Sequence, residues 1–530
     1  MADEYILQKS ETDVTNGISS FRRSYNVRLA DSNQGTYSSN QIIFSNLASL
    51  SNADANLSLA ESFIEIPYTV SVTASGDGMN VDAGQEYMLG LKGFMNLIHS
   101  YEIMVDNNVI ESTFPNANIP INFKIATTMS KDAENNVADS FNYAKDTDAI
   151  EYADILGETN YYATSGVSNS GCMKRMEKEN FRPSLTRNAL FTSATECGAR
   201  HQSHCTFAAN VIYFHYLAII PLKYLSPYFA NSVLQKGTYL QLTLNVNTAT
   251  TTIITDATPN ITSVATTSSF GTCPYIISKE GAGWTAVASK TYTIKSGIVR
   301  ANDGDPVPHG TACYFNAVFY EMNPEMENSF YSRKIREITH DKFITSVVRH
   351  VEPLASFQHL ISPAVSKARY LLIVPVLSQI TNGRATPTTT SGGTAFSPML
   401  SPFTTAGCGT TCFGASVTQF NVLINSLNHY KNHVNYGYEM FQNEILKSNS
   451  VSGGQELAVS SGLVSMKDWL NHMGFIYVDL KRKTNDMIDS TPVPFEIIGK
   501  NNTKVPMDYY CFICCERITK IDITNGRIVA

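Results

Sequence analysis

Apolar and polar residues alternate one by one through Leu240-Gln-Leu-Thr-Leu-Asn-Val246. They do so again over residues 64–73, where Ile64, Ile66, Tyr68, Val70 and Val72 are interleaved with Glu65, Thr69, Ser71 and Thr73. A period of two places alternate side chains on opposite faces of an extended chain, so each run reads as a strand with one face buried and one face wet. Pro67 inside the second run cannot donate to a ladder, which predicts an edge position or a bulge. Shorter apolar runs recur down the chain, at 211–220, 290–300, 313–321, 343–351, 369–377, 419–424, 474–481, 494–498 and 509–518. Residues 100–111 read as a hairpin turning at Asp106-Asn107-Asn108, residue types that tolerate positive φ. Only 124–156, 221–230 and 436–447 carry helical character, and the Thr/Ser-rich stretches 248–272 and 381–413 read as long surface excursions.

Composition supports the same class. Charged residues are 16% of the 530, against about 25% in an average soluble chain, and Ser, Thr, Asn, Gly and Tyr take their place. Helical bundles and coiled coils are therefore disfavoured. The formal net charge of −7 argues against a basic nucleic-acid binder. No window reads as a membrane span; the most apolar, 206–222, contains Asn210, His215 and Pro221. The first residues, MADEYILQKS, have no basic-then-apolar leader pattern, and ten cysteines are scattered rather than framed. Both features point to folding in a reducing compartment.

The two halves share a rhythm of about eight strands, a few short helices and a long polar insertion. Antiparallel sandwiches of the jelly-roll type fit that spacing better than βαβ units. The strongest linker signal is ANDGDPVPHG, 301–310. The expected organisation is a flexible N-terminal arm over 1–40, a first jelly roll over 41–304 and a second over 305–530. The fold class is all-β, two consecutive eight-stranded antiparallel jelly rolls with short helices and long polar loops.

Chemistry is sparse. Cys511-x-x-Cys514-Cys515 has cysteine-pair spacing, but it lies in Tyr-Tyr-Cys-Phe-Ile-Cys-Cys-Glu, which reads as a strand. Residues three apart on a strand diverge, so these are expected to be buried free thiols. Cys197, His201, His204 and Cys205 have metal-ligand chemistry at compact spacing, and are a weak metal candidate beside the simpler reading of a polar loop. Cys408 and Cys412 sit in a Gly/Thr loop that specifies nothing. There is no P-loop, dinucleotide fingerprint, nucleophile elbow or zincin helix. No catalytic residue and no cofactor are expected. The Tyr and Phe residues lie inside strand patterns with few basic neighbours, so packing explains them better than base stacking does.

The second half resembles the major capsid proteins of the double jelly-roll lineage, especially those of Polinton-like viruses and virophages. The resemblance runs in order through Asn323-Pro-Glu-Met-Glu327, Ser356-Phe-Gln-His-Leu-Ile361, Ala368-Arg-Tyr-Leu-Leu-Ile-Val-Pro375 and Ser397-Pro-Met-Leu-Ser-Pro-Phe403. It continues through Tyr436-Gly-Tyr-Glu-Met-Phe441, Ser461-Gly-Leu463, Ile498-Gly-Lys-Asn501 and Asp522-Ile-Thr-Asn-Gly526. In the first half it is thinner, covering 94–111 and 220–246. The resemblance implies a non-enzymatic virion protein: two jelly rolls per chain, homotrimers with a pseudo-hexagonal outline, and an icosahedral shell around a double-stranded DNA genome. It also implies penton or minor capsid partners. Any genome contact is expected through Arg22, Arg23 and Arg28 of the arm. The alternatives are a secreted β-sandwich lectin or adhesin, or a carbohydrate-active hydrolase using a carboxylate pair.

Overall fold

The fold is that of a computed structural model, which describes residues 20–33, 35–37, 39–45, 50, 54–76, 87–112, 114–129, 136–143, 203–208, 211–255, 261–279, 290–298, 312–378, 399–400, 402, 416–447, 464–471, 473–480 and 491–529. In the first half the strands are β1 (Phe21–Ala30), β2 (Gln41–Phe44), β3 (Asn56–Gly76), β4 (Tyr87–Leu91), β5 (Ile98–Val105), β6 (Asn108–Glu111), β7 (Ser203–Ala208), β8 (Val211–Pro221), β9 (Leu240–Val246), β10 (Ala249–Thr255), β11 (Ile261–Ser268), β12 (Tyr275–Lys279), β13 (Lys290–Ile298) and β14 (Tyr314–Met322). In the second half they are β15 (Ile335–Val351), β16 (Ser356–Val365), β17 (Ala368–Leu377), β18 (Val417–Ile424), β19 (Leu427–Asn428), β20 (Val434–Tyr436), β21 (Ile476–Asp479), β22 (Val493–Asn501), β23 (Met507–Asp522) and β24 (Arg527–Val529). All the strand pairs described are antiparallel.

Pairing order identifies the topology. In the first half, β1-β14-β3-β8 form one sheet and β2-β9-β5-β6 the facing one. In the second half, β15-β23-β17-β21 face β16-β22-β18 with β19 and β20. Numbered by position among the framework strands of its own half, each half reads 1-8-3-6 opposite 2-7-4-5. The first and last strands are thus neighbours in both. This is the double-sheet jelly roll, in which the chain winds to and fro between two sheets until its ends meet. The period-two runs supply the cores: Ile64, Ile66 and Tyr68 of β3 and Leu240, Leu242 and Leu244 of β9 are fully buried.

Four expectations are corrected. Residues 21–30 are not a free arm: they form β1, paired with β14 along its length. The change from one sandwich to the other does not lie at 304/305. β14 pairs with both β1 and β3, so sheet membership passes to the second sandwich only through the helix Pro324–Phe330 that precedes β15. The Pro/Gly cluster at 301–310, which itself lies outside the described residues, precedes the last strand of the first sandwich. Turn residues mark a change of chain direction and do not distinguish a loop from a linker. The Thr-rich stretch also holds structure, since β10 and β11 form a hairpin beside β13. Threonine is β-branched and suits a strand. Here Thr251 and Thr266 face inward and their hydroxyls meet at 2.9 Å, with the Tyr275 hydroxyl 2.6 Å from Thr251. The stretch 381–413 lies outside the described residues except at 399–400 and 402.

Pro67 lies in a central strand, not on an edge. One side of β3 pairs with β8, opposite Leu217, while the other pairs with β14 up to Glu65 and with β13 from Tyr68 onward. The proline therefore sits where the ladder passes from one partner strand to the next. The bulge lies a few residues earlier, where Ser62 Oγ accepts from the Val318 amide at 3.2 Å and donates to the Ser58 carbonyl at 2.7 Å.

Candidate functional site

Of the metal candidates, Cys197 and His201 lie outside the described residues, while His204 and Cys205 fall on β7. No group of three or more His, Cys, Asp or Glu side chains that could hold a metal ion occurs among the described residues. Cys511, Cys514 and Cys515 are buried free thiols on β23, as their strand context predicts. Burial pushes all three thiols up, Cys515 to about 12, so they stay protonated and poorly nucleophilic. Cys408 and Cys412 lie outside the described residues. No described helix is long and apolar enough to cross a membrane.

The arginines divide. Arg28 bonds Glu65 through both Nε, at 3.0 Å, and Nη2, at 2.6 Å, and its guanidinium lies 3.6 Å from the Tyr314 ring centroid. Its charge is thus spent within the first sandwich, because β1 is paired with β14 and Arg28 reaches across Tyr314 of that strand to Glu65 of β3. Arg22 is exposed, and Arg23 reaches over Tyr25, 5.1 Å from its centroid.

The most elaborate constellation is one that no local pattern marks: the seam between the two sandwiches. Its centre is aromatic. Phe114 packs between Tyr101 and Phe343, with centroids 5.4 and 5.8 Å away, while Phe123 meets Phe475 at 4.8 Å and Tyr477 at 6.1 Å. Phe123 lies on the helix Asn118–Thr128, which is buried nearly all round and carries Phe123 and Lys124 from the first sandwich to the second. β23 is accordingly buried on both faces from Met507 to Cys515, with no alternation. A strand covered on both sides reads as a continuous apolar run.

Charge flanks the aromatic centre. Lys124, from the same helix, donates to Asp341 at 3.1 Å, and Arg369 bridges Asp341, at 2.8 Å, to Glu516. Asp341 is only 5% exposed, so its carboxylate depends on those two cations. Further along the seam, Arg517 donates to the Ile110 carbonyl at 2.5 Å, and Asn231 to the Thr339 carbonyl at 2.8 Å. At its end the hairpin Asp522–Gly526 docks against Gly237. The Lys236 amide donates to the Ile523 carbonyl at 2.8 Å, and Lys236 Nζ pairs with Glu327. Asp522 holds this turn by accepting from the Thr524 amide at 2.9 Å and hydroxyl at 2.6 Å.

Two other surfaces stand out. A cleft of about 860 Å³ lies between the outer face of the first sheet and the helix Asn118–Thr128, lined by Phe63, Ile121, Ile125, Phe141, Ile219 and Tyr224. On the outer face of β16-β22-β18, Leu360 is 47% exposed and stands in register with Glu496, which pairs onward with Leu423. Gln358 donates to Glu496 beside Leu360 at 2.9 Å.

No protein-family model and no curated protein matches the sequence. Solved structures do resemble the fold. A chain of the Sputnik virophage structure aligns with a TM-score of 0.49 at 9% identity, covering 98% of this chain and 90% of that one. The mavirus major capsid protein aligns with a TM-score of 0.44 at 9% identity, covering 98% and 92%. The Faustovirus major capsid protein aligns at 0.43 and 9%, covering 96% and 92%. Identities this low speak only to fold, and the assignment rests on strand order. With the same 1-8-3-6 and 2-7-4-5 pairing in both halves, joined by a buried seam, the chain is a double jelly roll.

Proposed function

We propose that the chain is a viral major capsid protein, acting by assembly and not by catalysis. Three copies form a pseudo-hexagonal capsomer, and capsomers build an icosahedral shell around a double-stranded DNA genome, with penton or minor capsid proteins at the remaining positions. The observation that carries this reading is the fusion of two topologically equivalent sandwiches, side by side, by a seam of aromatic rings and ion pairs. Such a chain offers two similar building blocks at a fixed mutual angle, so three copies supply six blocks in a ring. In this reading the first jelly roll runs from β1 to β14 and the second from β15 to the C-terminus. Light scattering of the purified chain together with negative-stain imaging tests it. A mass of three chains with a six-sided outline supports the capsomer, and a stable monomer at every concentration refutes it.

The leucines on the outer face of β16-β22-β18 are the proposed subunit contact, because exposed large apolar groups on a sheet face gain most by being covered. Replacing Leu360 and Leu423, which flank Glu496 on that face, together by Lys is expected to leave the thermal unfolding of the monomer little changed. Light scattering should then show loss of the trimer. A trimer that persists in the double variant rules this face out.

Genome contact is confined in this reading to Arg22 and Arg23, since Arg28 is paired internally. The double change Arg22→Ala, Arg23→Ala is expected to preserve trimers and reduce nuclease-protected DNA in purified particles. Unchanged DNA content would dismiss the contact.

A further inference from the structure

We propose that Asn525-Gly526 is a latent self-modification site. Docking of the last hairpin on the first sandwich suppresses its deamidation, and deamidation, once it occurs, keeps the hairpin from docking again. This inference does not depend on the capsid reading. An asparagine followed by glycine is the pair most open to this reaction, because no Cβ shields the amide that attacks. Asn525 is exposed, while Gly526 is buried against Thr238.

The reaction needs no reagent but water. The Gly526 amide nitrogen attacks Asn525 Cγ, and the new N–Cγ bond closes a succinimide ring. The Cγ–Nδ2 bond breaks, and Nδ2 leaves as ammonia with the proton that the amide gives up. Water then opens the ring at either carbonyl. Cleavage of the new N–Cγ bond leaves an aspartate at 525. Cleavage of the original peptide bond leaves an isoaspartate, whose main chain runs through Cβ and Cγ and is one methylene longer.

The docked hairpin holds each group that this step must move. The Gly526 amide donates to the Asp522 carbonyl at 2.8 Å, a bond that ring closure has to break. Asn525 Oδ1 accepts from the Arg527 amide at 3.0 Å, and Nδ2 donates to Asp522 Oδ2 at 3.3 Å. The carboxamide is thus fixed at both ends, which keeps Cγ from swinging over the Gly526 nitrogen. The first sandwich clamps the main chain: the Lys236 amide donates to the Ile523 carbonyl at 2.8 Å, and a Cβ on Gly237 would lie 3.2 Å from Asn525 Cα. Both products spoil that fit. A longer main chain has no room at so close an approach, and an aspartate replaces a donor to Asp522 with a second carboxylate beside it.

Peptide mapping by mass spectrometry tests the proposal, following the full chain through incubation in mildly alkaline buffer with and without guanidinium chloride. Ile380-Thr-Asn-Gly-Arg384 repeats the five residues Ile523–Arg527, so Asn382 supplies the intrinsic rate in the denatured chain. Asn525 is expected to match Asn382 when denatured and to react at least about tenfold more slowly when folded, because reaction must await local opening. Gly237→Ala crowds the hairpin without altering its sequence and should raise the folded rate several-fold. Chains modified in denaturant, refolded and separated by their added charge should exchange the Lys236 amide at least about tenfold faster than unmodified refolded chains. Equal folded and denatured rates for Asn525, or an unchanged folded rate in Gly237→Ala, overturn the suppression. A Lys236 amide equally protected in modified chains overturns the block on docking. The rate comparison in the unaltered chain needs neither a variant nor refolding, and it decides if either fails to fold.

Discussion

Replacing Gly526 by Ala should destabilise the protein by about 2 to 4 kcal/mol, combining left-handed strain with overpacking. Gly526 has φ +65°, and a Cβ placed there would lie 2.5 Å from the Thr238 Cα and 2.7 Å from its amide nitrogen. Those are backbone atoms, which cannot swing aside as the tip of a long side chain can. Gly237 faces the contact from the other side with φ +62°, its own virtual Cβ 3.1 Å from the Asn525 carbonyl oxygen. Two left-handed glycines thus let the last hairpin of the second sandwich touch the turn before β9 of the first. Gly271 provides the control: its φ is +88°, but nothing lies within 4 Å of a Cβ there. Gly271→Ala should therefore cost only the conformational share, about 1 kcal/mol. Denaturant unfolding of the three proteins measures both values. Equal losses for the two alanine variants would show that the close approach at Thr238 has no energetic weight.

Arg369→Met is expected to cost a further large sum, about 2 to 4 kcal/mol. Removing one member of a buried ion pair leaves an uncompensated charge, typically worth about 3 to 5 kcal/mol. Lys124 stays with Asp341 and softens the loss, and Glu516, 27% exposed at its side chain, regains some water. Asp341 must then be carried with one cation, so removing its charge should relieve part of the burden. Combining Arg369→Met with Asp341→Asn should restore much of the loss for the same reason. A double variant no more stable than Arg369→Met alone would show that the cost lies in lost packing of the arginine stem.

The features read correctly from sequence were those written in neighbouring residues. Alternation at 64–73 and 240–246 fixes strands whatever they later pair with, because a period of two has only one regular solution with a buried face. The Cys511–Cys515 run reads as buried thiols for the same local reason. The order of the segments from Asn323 to Gly526 in the second half carries the likeness to double jelly-roll proteins, and the pairing order there agrees with it.

What tertiary structure decided was partnership. Residues 21–30 carry three arginines inside a polar stretch and so read as an arm, although Tyr25, Val27 and Leu29 alternate with Asn26, Arg28 and Ala30; β14, almost 300 residues later, supplies the ladder that makes them a strand. The same long-range pairing moved the end of the first sandwich past the Pro/Gly cluster at 301–310 and consumed Arg28 in a contact with Glu65. The seam was invisible for the same reason. Arg517 and Ile110, Lys124 and Asp341, and Gly526 and Thr238 are unremarkable where they stand in the chain. Nothing local distinguishes them from the many acids, bases and glycines that face water. A strand's periodicity follows from forces between near neighbours, whereas the juxtaposition of two sandwiches depends on which buried faces meet.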